Sequence, residues 1–102
     1  MDVTAIGEIL IDLTQTGVNA AGVPQFSANP GGAPANVAVA AARLGAKSAF
    51  WGKVGDDGFG NYLRKVLTDN GVDASGLRTG SQPTTMAVVS VDEAGERSFR
   101  FL

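Results

Sequence analysis

Residues 31–60 read GGAPANVAVAAARLGAKSAFWGKVGDDGFG. The stretch opens on paired glycines, Gly31 and Gly32, and runs into Ala33–Leu44, which is mostly alanine and valine. Pro34 stands where a helix starts, because its missing N–H is one the first turn leaves unpaired anyway, and Gly45 stands where a helix stops. The run is apolar on nearly every side, which predicts a buried helix rather than an amphipathic one. Ser48–Val54 (SAFWGKV) then reads as a core strand. Gly55–Gly58 is a turn in which Asp57 can cap a second helix. Phe59, Leu63, Val66 and Leu67 recur at helical spacing up to Asn70–Gly71, a good stop.

Outward from this unit, Val3–Leu13 (VTAIGEILIDL) is a nearly continuous apolar run, interrupted by Gly7-Glu8, and suits a buried parallel strand. Val72–Leu77 (VDASGL) is a third, shorter strand. Strand, helix, strand, helix, strand is the opening of a doubly wound α/β domain. Two segments do not belong to that pattern. Val18–Pro30, with its Asn, Gly and Pro, reads as a hairpin or short irregular strands at a surface. Thr84–Val91 and Arg97–Phe101, separated by the turn signal Asp92–Glu96, read as an antiparallel hairpin whose second arm has one exposed face. The chain then stops directly after a strand with a sheet edge unpaired, and so reads as truncated.

The composition narrows the chemistry. The 102 residues are one small domain or a piece of a larger one. Eight Lys and Arg against ten Asp and Glu give a net charge of −2, which argues against a nucleic-acid partner. Cysteine and histidine are absent, so these residues offer no disulfide, no His- or Cys-liganded zinc and no histidine acid/base. No run reaches the ~18 apolar residues of a membrane span, and no basic segment precedes the first apolar stretch as in a secretory signal. A cytoplasmic protein acting on a small molecule is the expectation.

Two places can carry chemistry. Gly31-Gly32 ahead of a helix leave no side chain between backbone and ligand, the helix start offers unpaired N–H groups, and Asn36 adds a donor and an acceptor. That set suits a polyhydroxy ligand; an ordinary strand-to-helix turn is the alternative. Asp12 reads as the end of an apolar strand, where ligands bind in parallel α/β sheets and where a carboxylate can accept from two adjacent hydroxyls. A solvated loop aspartate is the alternative there. Asp56-Asp57 invites a metal or acid/base reading, but one of the pair serves well as a helix cap. Neither a Walker A loop nor a dinucleotide fingerprint occurs.

Taken together, Gly31–Gly60 resembles the first signature of the ribokinase, or PfkB, family of carbohydrate kinases, with its paired glycines, Asn36, the Arg43-Leu44-Gly45 helix end and the Val54-Gly55-Asp56-Asp57 turn. GEILIDL (Gly7–Leu13) and TTMAVVSVDEAGERSFRF (Thr84–Phe101) resemble the fructokinase forms of the first strand and of the lid. The resemblance covers essentially the whole chain. It implies a Rossmann-like ribokinase-type α/β core, incomplete here, with a small β-sheet lid: residues 1–13 and 30–82 in the core, 14–29 and 83–102 in the lid. It implies sugar hydroxyl binding by Asp12, Gly32 and Asn36, with Gly31 shaping the loop. Thr85, Ala87 and Phe101 are further candidates for facing the sugar, and packing is the favoured role for Phe99 and Phe101.

The implied reaction is transfer of a phosphoryl group from ATP, with Mg²⁺ and a monovalent cation such as K⁺ assisting, to a primary hydroxyl, fructose giving fructose 6-phosphate. Lid closure would keep water from the site. The family's catalytic Gly-Ala-Gly-Asp motif does not occur here, so the chain is expected to be the sugar-binding half, inactive alone, with no catalytic residue and no metal ligand of its own. A homodimer through the lid is a further implication. A 2-keto-3-deoxygluconate kinase and a non-catalytic sugar-binding or interaction remnant are the competing readings; a reading frame that continues past Leu102 into Gly-Ala-Gly-Asp would favour a kinase.

Overall fold

The apolar run at the start of the chain is not one strand. It breaks at Gly7–Ile9 into β1 (Val3–Ile6) and β2 (Leu10–Val18). Ile9, Leu10 and Ile11 are consecutive and all nearly fully buried. A strand covered on one face would bury only alternate residues; here the chain passes from one layer to another and is enclosed on all sides. In the computed structural model, which describes residues 1–102, the elements that follow are β3 (Pro24–Gly31), α1 (Ala33–Arg43), β4 (Ser48–Gly55), α2 (Gly58–Asp69), β5 (Asp73–Gly80), β6 (Met86–Val91) and β7 (Arg97–Phe101).

These strands form two sheets. The first is parallel, in the order β1-β4-β5, and α1 and α2 pack against it. The βαβ connections expected around Gly31–Gly60 are present. Both helices end in the same way, with a positive-φ glycine, Gly45 or Gly71, just past the last turn. In α1 the Gly45 and Ala46 N–H groups donate to Ala42 and Ala41, and in α2 those of Gly71 and Val72 donate to Thr68 and Leu67, a Schellman arrangement that satisfies the free carbonyls.

The core lies between this sheet and its helices, around Phe50, Leu63 and Leu67, with Ile11 reaching in from the second sheet. α1 is not buried all round: Ala35 and Ala38 are enclosed, whereas Val37 is exposed. Its small inner residues let it sit close to the sheet, and nothing covers its outer side. The far face of the sheet is also open, with the paired residues Ile6 and Trp51 72% and 52% exposed. β4 is thus a core strand on one face only.

The second sheet runs β3-β2-β6-β7. β2 and β3 form a hairpin longer than the one expected within Val18–Pro30, its first arm being Leu10–Val18, with Asn19 Oδ1 accepting from the Ala21 and Val23 N–H groups in its turn. β6 and β7 form the other, where Asp92 Oδ1 accepts from Ala94 and Glu96. The two hairpins join through a parallel β2–β6 pairing, which joins residues more than half the chain apart. The sheet begins at Leu10 and takes in Pro30 and Gly31, so its boundaries fall inside the segments expected to be core.

The chain crosses between the sheets three times: at Gly7–Ile9, at Gly31-Gly32, and at Ser81–Thr85. The third crossing is held by Asp57, the N-cap of α2. Asp57 Oδ1 accepts from the Gly60 N–H at 2.7 Å and the Thr84 hydroxyl at 2.6 Å, and Oδ2 accepts from the Thr84 N–H at 2.9 Å. These bonds, those from Thr84 first, hold the Asp57 carboxyl below its ordinary value of 3.8. A carboxylate with a depressed folded-state pKa contributes its full stability above the unfolded value and loses it as pH falls through the folded one. Acid titration of the wild type, read by thermal melts at stepped pH, should therefore show a loss of stability below the usual carboxylate range that Asp57→Asn reduces. Asp73, whose carboxyl is likewise lowered by its hydrogen bonds from Ser75, supplies part of the remainder. An identical acid profile in both proteins would refute this role.

Candidate functional site: one face of the second sheet

Asp12 lies inside β2, not at the end of a strand. It pairs with Asn29 of β3 on one side and with Ala87 of β6 on the other, and Ala87 in turn pairs with Phe101 of β7. Paired residues point to the same face of a sheet. Asn29, Asp12, Ala87 and Phe101 thus form one row across all four strands. Strand alternation puts Leu10, Gly31 and Thr85 on this face as well. Ile11, Leu13, Ala28 and Met86 are on the opposite face, packed into or against the core.

Gly31 has a specific use here. A methyl group on it would collide with the Asp12 carboxylate and approach Leu10 Cδ1 to 2.9 Å. The missing side chain is what lets the carboxylate lie over β3. The carboxylates that accept hydrogen bonds within the chain are those of Asp2, Asp57, Asp69, Asp73 and Asp92; Asp12 is left with its acceptor sites free. Ala87 is fully buried, a small residue between the carboxylate and the aromatic edge. Phe101 meets Phe99 edge to face at a centroid distance of 4.8 Å, and both rings stay more than half exposed. Their mutual packing accords with the expected role, and it forms an apolar wall at the end of the row.

Gly32 is the N-cap of α1, at φ 102° and ψ 121°, with no side-chain cap. The first-turn N–H groups of α1 therefore lack side-chain partners beside Gly31. Pro34 is the second helical residue, not the first. Asn36 donates its backbone N–H to the Gly32 carbonyl at 3.0 Å. It is exposed and lines a groove between the helices with Pro30, Arg43 and Asn70. Pro30 is on the Ile11 face of the second sheet, so Asn36 opens onto a different cavity from the Asp12 face. The structure thus gathers Asp12, Gly31, Thr85, Ala87 and Phe101 on one surface, with Gly32 next to it, and leaves Asn36 around the corner.

Asn29 and Leu10 are among the members of this face that sequence reasoning missed. Their signal is alternation with Gly31 and Asp12, readable only once the β2–β3 register is known. The largest cavity, about 660 Å³, is elsewhere: it lies on the Ile11 face, between Ala28, Met86 and the start of α2 at Phe59 and Tyr62. Its walls are largely apolar, and its one acid, Asp57, is already occupied by Thr84 and Gly60. Three or more acidic side chains cluster nowhere in the chain, and Asp56 beside the filled Asp57 is too little to hold Mg²⁺. These residues do not fit a metal.

The whole chain, residues 1–102, matches the model of the pfkB family carbohydrate kinases. It is 48% identical to probable fructokinase-4 of Arabidopsis thaliana and 50% identical to fructokinase-1 of rice, Oryza sativa, over 97% of its length in each case. It spans only 31–32% of the length of those relatives. Among solved structures it resembles a fructokinase from Xylella fastidiosa at a TM-score of 0.89 and 42% identity, covering 97% of this chain and 31% of that one. A fructokinase from Vibrio cholerae O395 in its fructose, ADP and calcium ion bound form matches at a TM-score of 0.81 and 44% identity, covering 98% and 31%. No helix is long and apolar enough to cross a membrane. Agreement in sequence and in fold along its entire length places this chain in the pfkB family of carbohydrate kinases.

Proposed function

We propose that the full-length gene product is a cytoplasmic, ATP-dependent fructose kinase, and that these residues supply the sugar-facing surface of its site. The observation that carries the reading is the Asp12 carboxylate, which has no hydrogen-bond partner in the chain and lies over the side-chain-free Gly31. A carboxylate so placed accepts from two neighbouring hydroxyls of one sugar, and charge-assisted hydrogen bonds are the stronger kind. Ala87 leaves room beside it, and Phe101 offers an apolar surface for the C–H side of the ring. Thr85 and Gly32 complete the set, while Asn36 lines the neighbouring groove between the helices.

The first sheet with its helices serves as the core, and the second sheet as the lid that shields the sugar. ATP and Mg²⁺, with a monovalent cation such as K⁺, are taken as the co-reactants of the full-length protein; relatives with bound ADP and calcium or potassium ions support this. The bound metal would neutralise phosphate charge. The part played by this chain is to hold the sugar's primary hydroxyl in place and to exclude water. The open edges of the second sheet are the surface proposed for a homodimer.

ATP-dependent phosphorylation across a panel of sugars, with the product identified by phosphorus NMR, tests the reading. Fructose should be the best substrate and fructose 6-phosphate the product. A preference for 2-keto-3-deoxygluconate would move the protein within its family, and no turnover of any sugar would overturn the kinase reading.

A further inference from the structure

The turn at Gly55–Gly60 does more than cap a helix: it is a socket for Thr84. Thr84 is 4% exposed. Its hydroxyl donates to Asp57 Oδ1 at 2.6 Å and accepts from the Gly55 N–H at 2.9 Å, while its own N–H donates to Asp57 Oδ2 at 2.9 Å. Every polar atom of its side chain is thus used. Two of the three glycines of the motif, Gly55 and Gly60, are required by packing. A methyl on Gly55 would come within 2.5 Å of Thr84 N and 2.7 Å of the Gln82 carbonyl, and one on Gly60 would run into the Gly55 carbonyl.

What this socket fixes lies one to three residues further on. The Thr85 carbonyl accepts from the Ile11 N–H at 3.0 Å, and Ala87 pairs with Asp12. The end of β4 and the start of α2 are therefore joined through Thr84 to the row that carries the Asp12 carboxylate. The other two crossings between the sheets, at Gly7–Ile9 and Gly31-Gly32, have no side-chain hydrogen bonds to hold them. The third alone sets the position of the second sheet on the first by polar side-chain contacts.

We infer that Thr84, seated on Asp57, is a positioning residue for the sugar: it sets where β6, and with it the Asp12 face, stands relative to the core. The inference rests on the sugar-kinase reading above. A side chain that only stabilised the fold would alter melting temperature and leave substrate constants alone in whatever protein remained folded. A positioning residue splits the constants, because it acts on one substrate and not the other.

The test uses the full-length protein with Thr84→Val, which keeps the shape and removes the hydroxyl, and Thr84→Ser, which keeps all three bonds. Thr84→Val should raise the KM for fructose about tenfold and leave the KM for ATP within about twofold, and Thr84→Ser should stay near the wild type. Unchanged constants in folded Thr84→Val, or equal losses toward both substrates, would overturn the inference. If Thr84→Val does not fold, Asp57→Asn takes its place. Its amide keeps an acceptor for Gly60 and sets a donor against the Thr84 N–H, so the same split, in smaller degree, is expected.

If the wild type phosphorylates no sugar, the kinase reading has failed and the socket is judged by hydrogen exchange. Thr84→Val, or Asp57→Asn if Thr84→Val does not fold, should then speed exchange at the Ile11 amide and along β6 while β1, β4 and β5 keep their protection. Equal protection in variant and wild type would overturn the positional role.

Discussion

Asp12→Ala in the full-length protein is expected to lower kcat/KM for fructose by about 10²–10⁴ while the affinity for ATP stays nearly unchanged. Two hydrogen bonds from sugar hydroxyls to a carboxylate, at about 1.5–3 kcal/mol each, correspond to that range. Asp12→Asn, which keeps one acceptor oxygen, should fall between the two. Because Asp12 accepts no hydrogen bond within the chain, the substitution removes little that the fold uses, and the melting temperature should hardly move. Steady-state kinetics with each substrate varied in turn, beside a thermal melt, separate these effects. Equal losses toward fructose and ATP, or a protein that no longer folds, would show that Asp12 acts through the structure and not on the sugar.

The second large effect is on folding. At Gly32 a methyl group would lie 2.6 Å from the Glu8 carbonyl oxygen and 3.1 Å from Ile9 Cα, with φ at +102°. Both obstacles are backbone, so no flexible side chain can move aside. Strain at a glycine-only angle together with overpacking should cost about 2–6 kcal/mol, a large share of the ~5–15 kcal/mol that a typical domain has. Gly22→Ala is the control: it also has positive φ, but nothing lies within 4 Å of the added methyl, so only the conformational cost of about 1–2 kcal/mol applies. Urea midpoints should fall far more for Gly32→Ala than for Gly22→Ala. Similar shifts would mean that the close approach of Glu8 does not constrain the loop.

The same loop shows how much could be read from the sequence. Pro34, Gly45 and Gly71 mark helix ends through local stereochemistry, and the turns at Asn19 and Asp92 are a few residues long. Such features are fixed by neighbours in the chain, so both helices, the second hairpin and the second arm of the first were legible, whereas the first arm, Leu10–Val18, was not. Nor was the break at Gly7–Ile9. Ile9, Leu10 and Ile11 form an unbroken apolar run whether one strand or two contain them, and only their burial on every side shows a passage between layers. Asp12 was chosen for a strand end and instead sits mid-strand. What singles it out is its row, and rows depend on the parallel pairing of β2 with β6.

Thr84 lay beyond sequence reasoning for a related reason. Asp57 carried a capping signal, correctly read, but the partner that shares it is 27 residues away. Nothing in Gln82-Pro83-Thr84 announces a buried hydroxyl. The exposure of Trp51 was hidden as well, since an aromatic residue in an apolar strand looks the same on a covered face as on an open one.

The central claim is that the sugar binds on the Asp12 face. Fructose titrated into the full-length, isotopically labelled protein, followed by amide chemical shifts, tests it most directly. Shifts should concentrate at Asp12, Gly31, Gly32, Thr85, Ala87 and Phe101, and Asp12→Ala should abolish them. Shifts confined to the groove around Arg43 and Asn70, or to the cavity beside Phe59 and Tyr62, would contradict the claim.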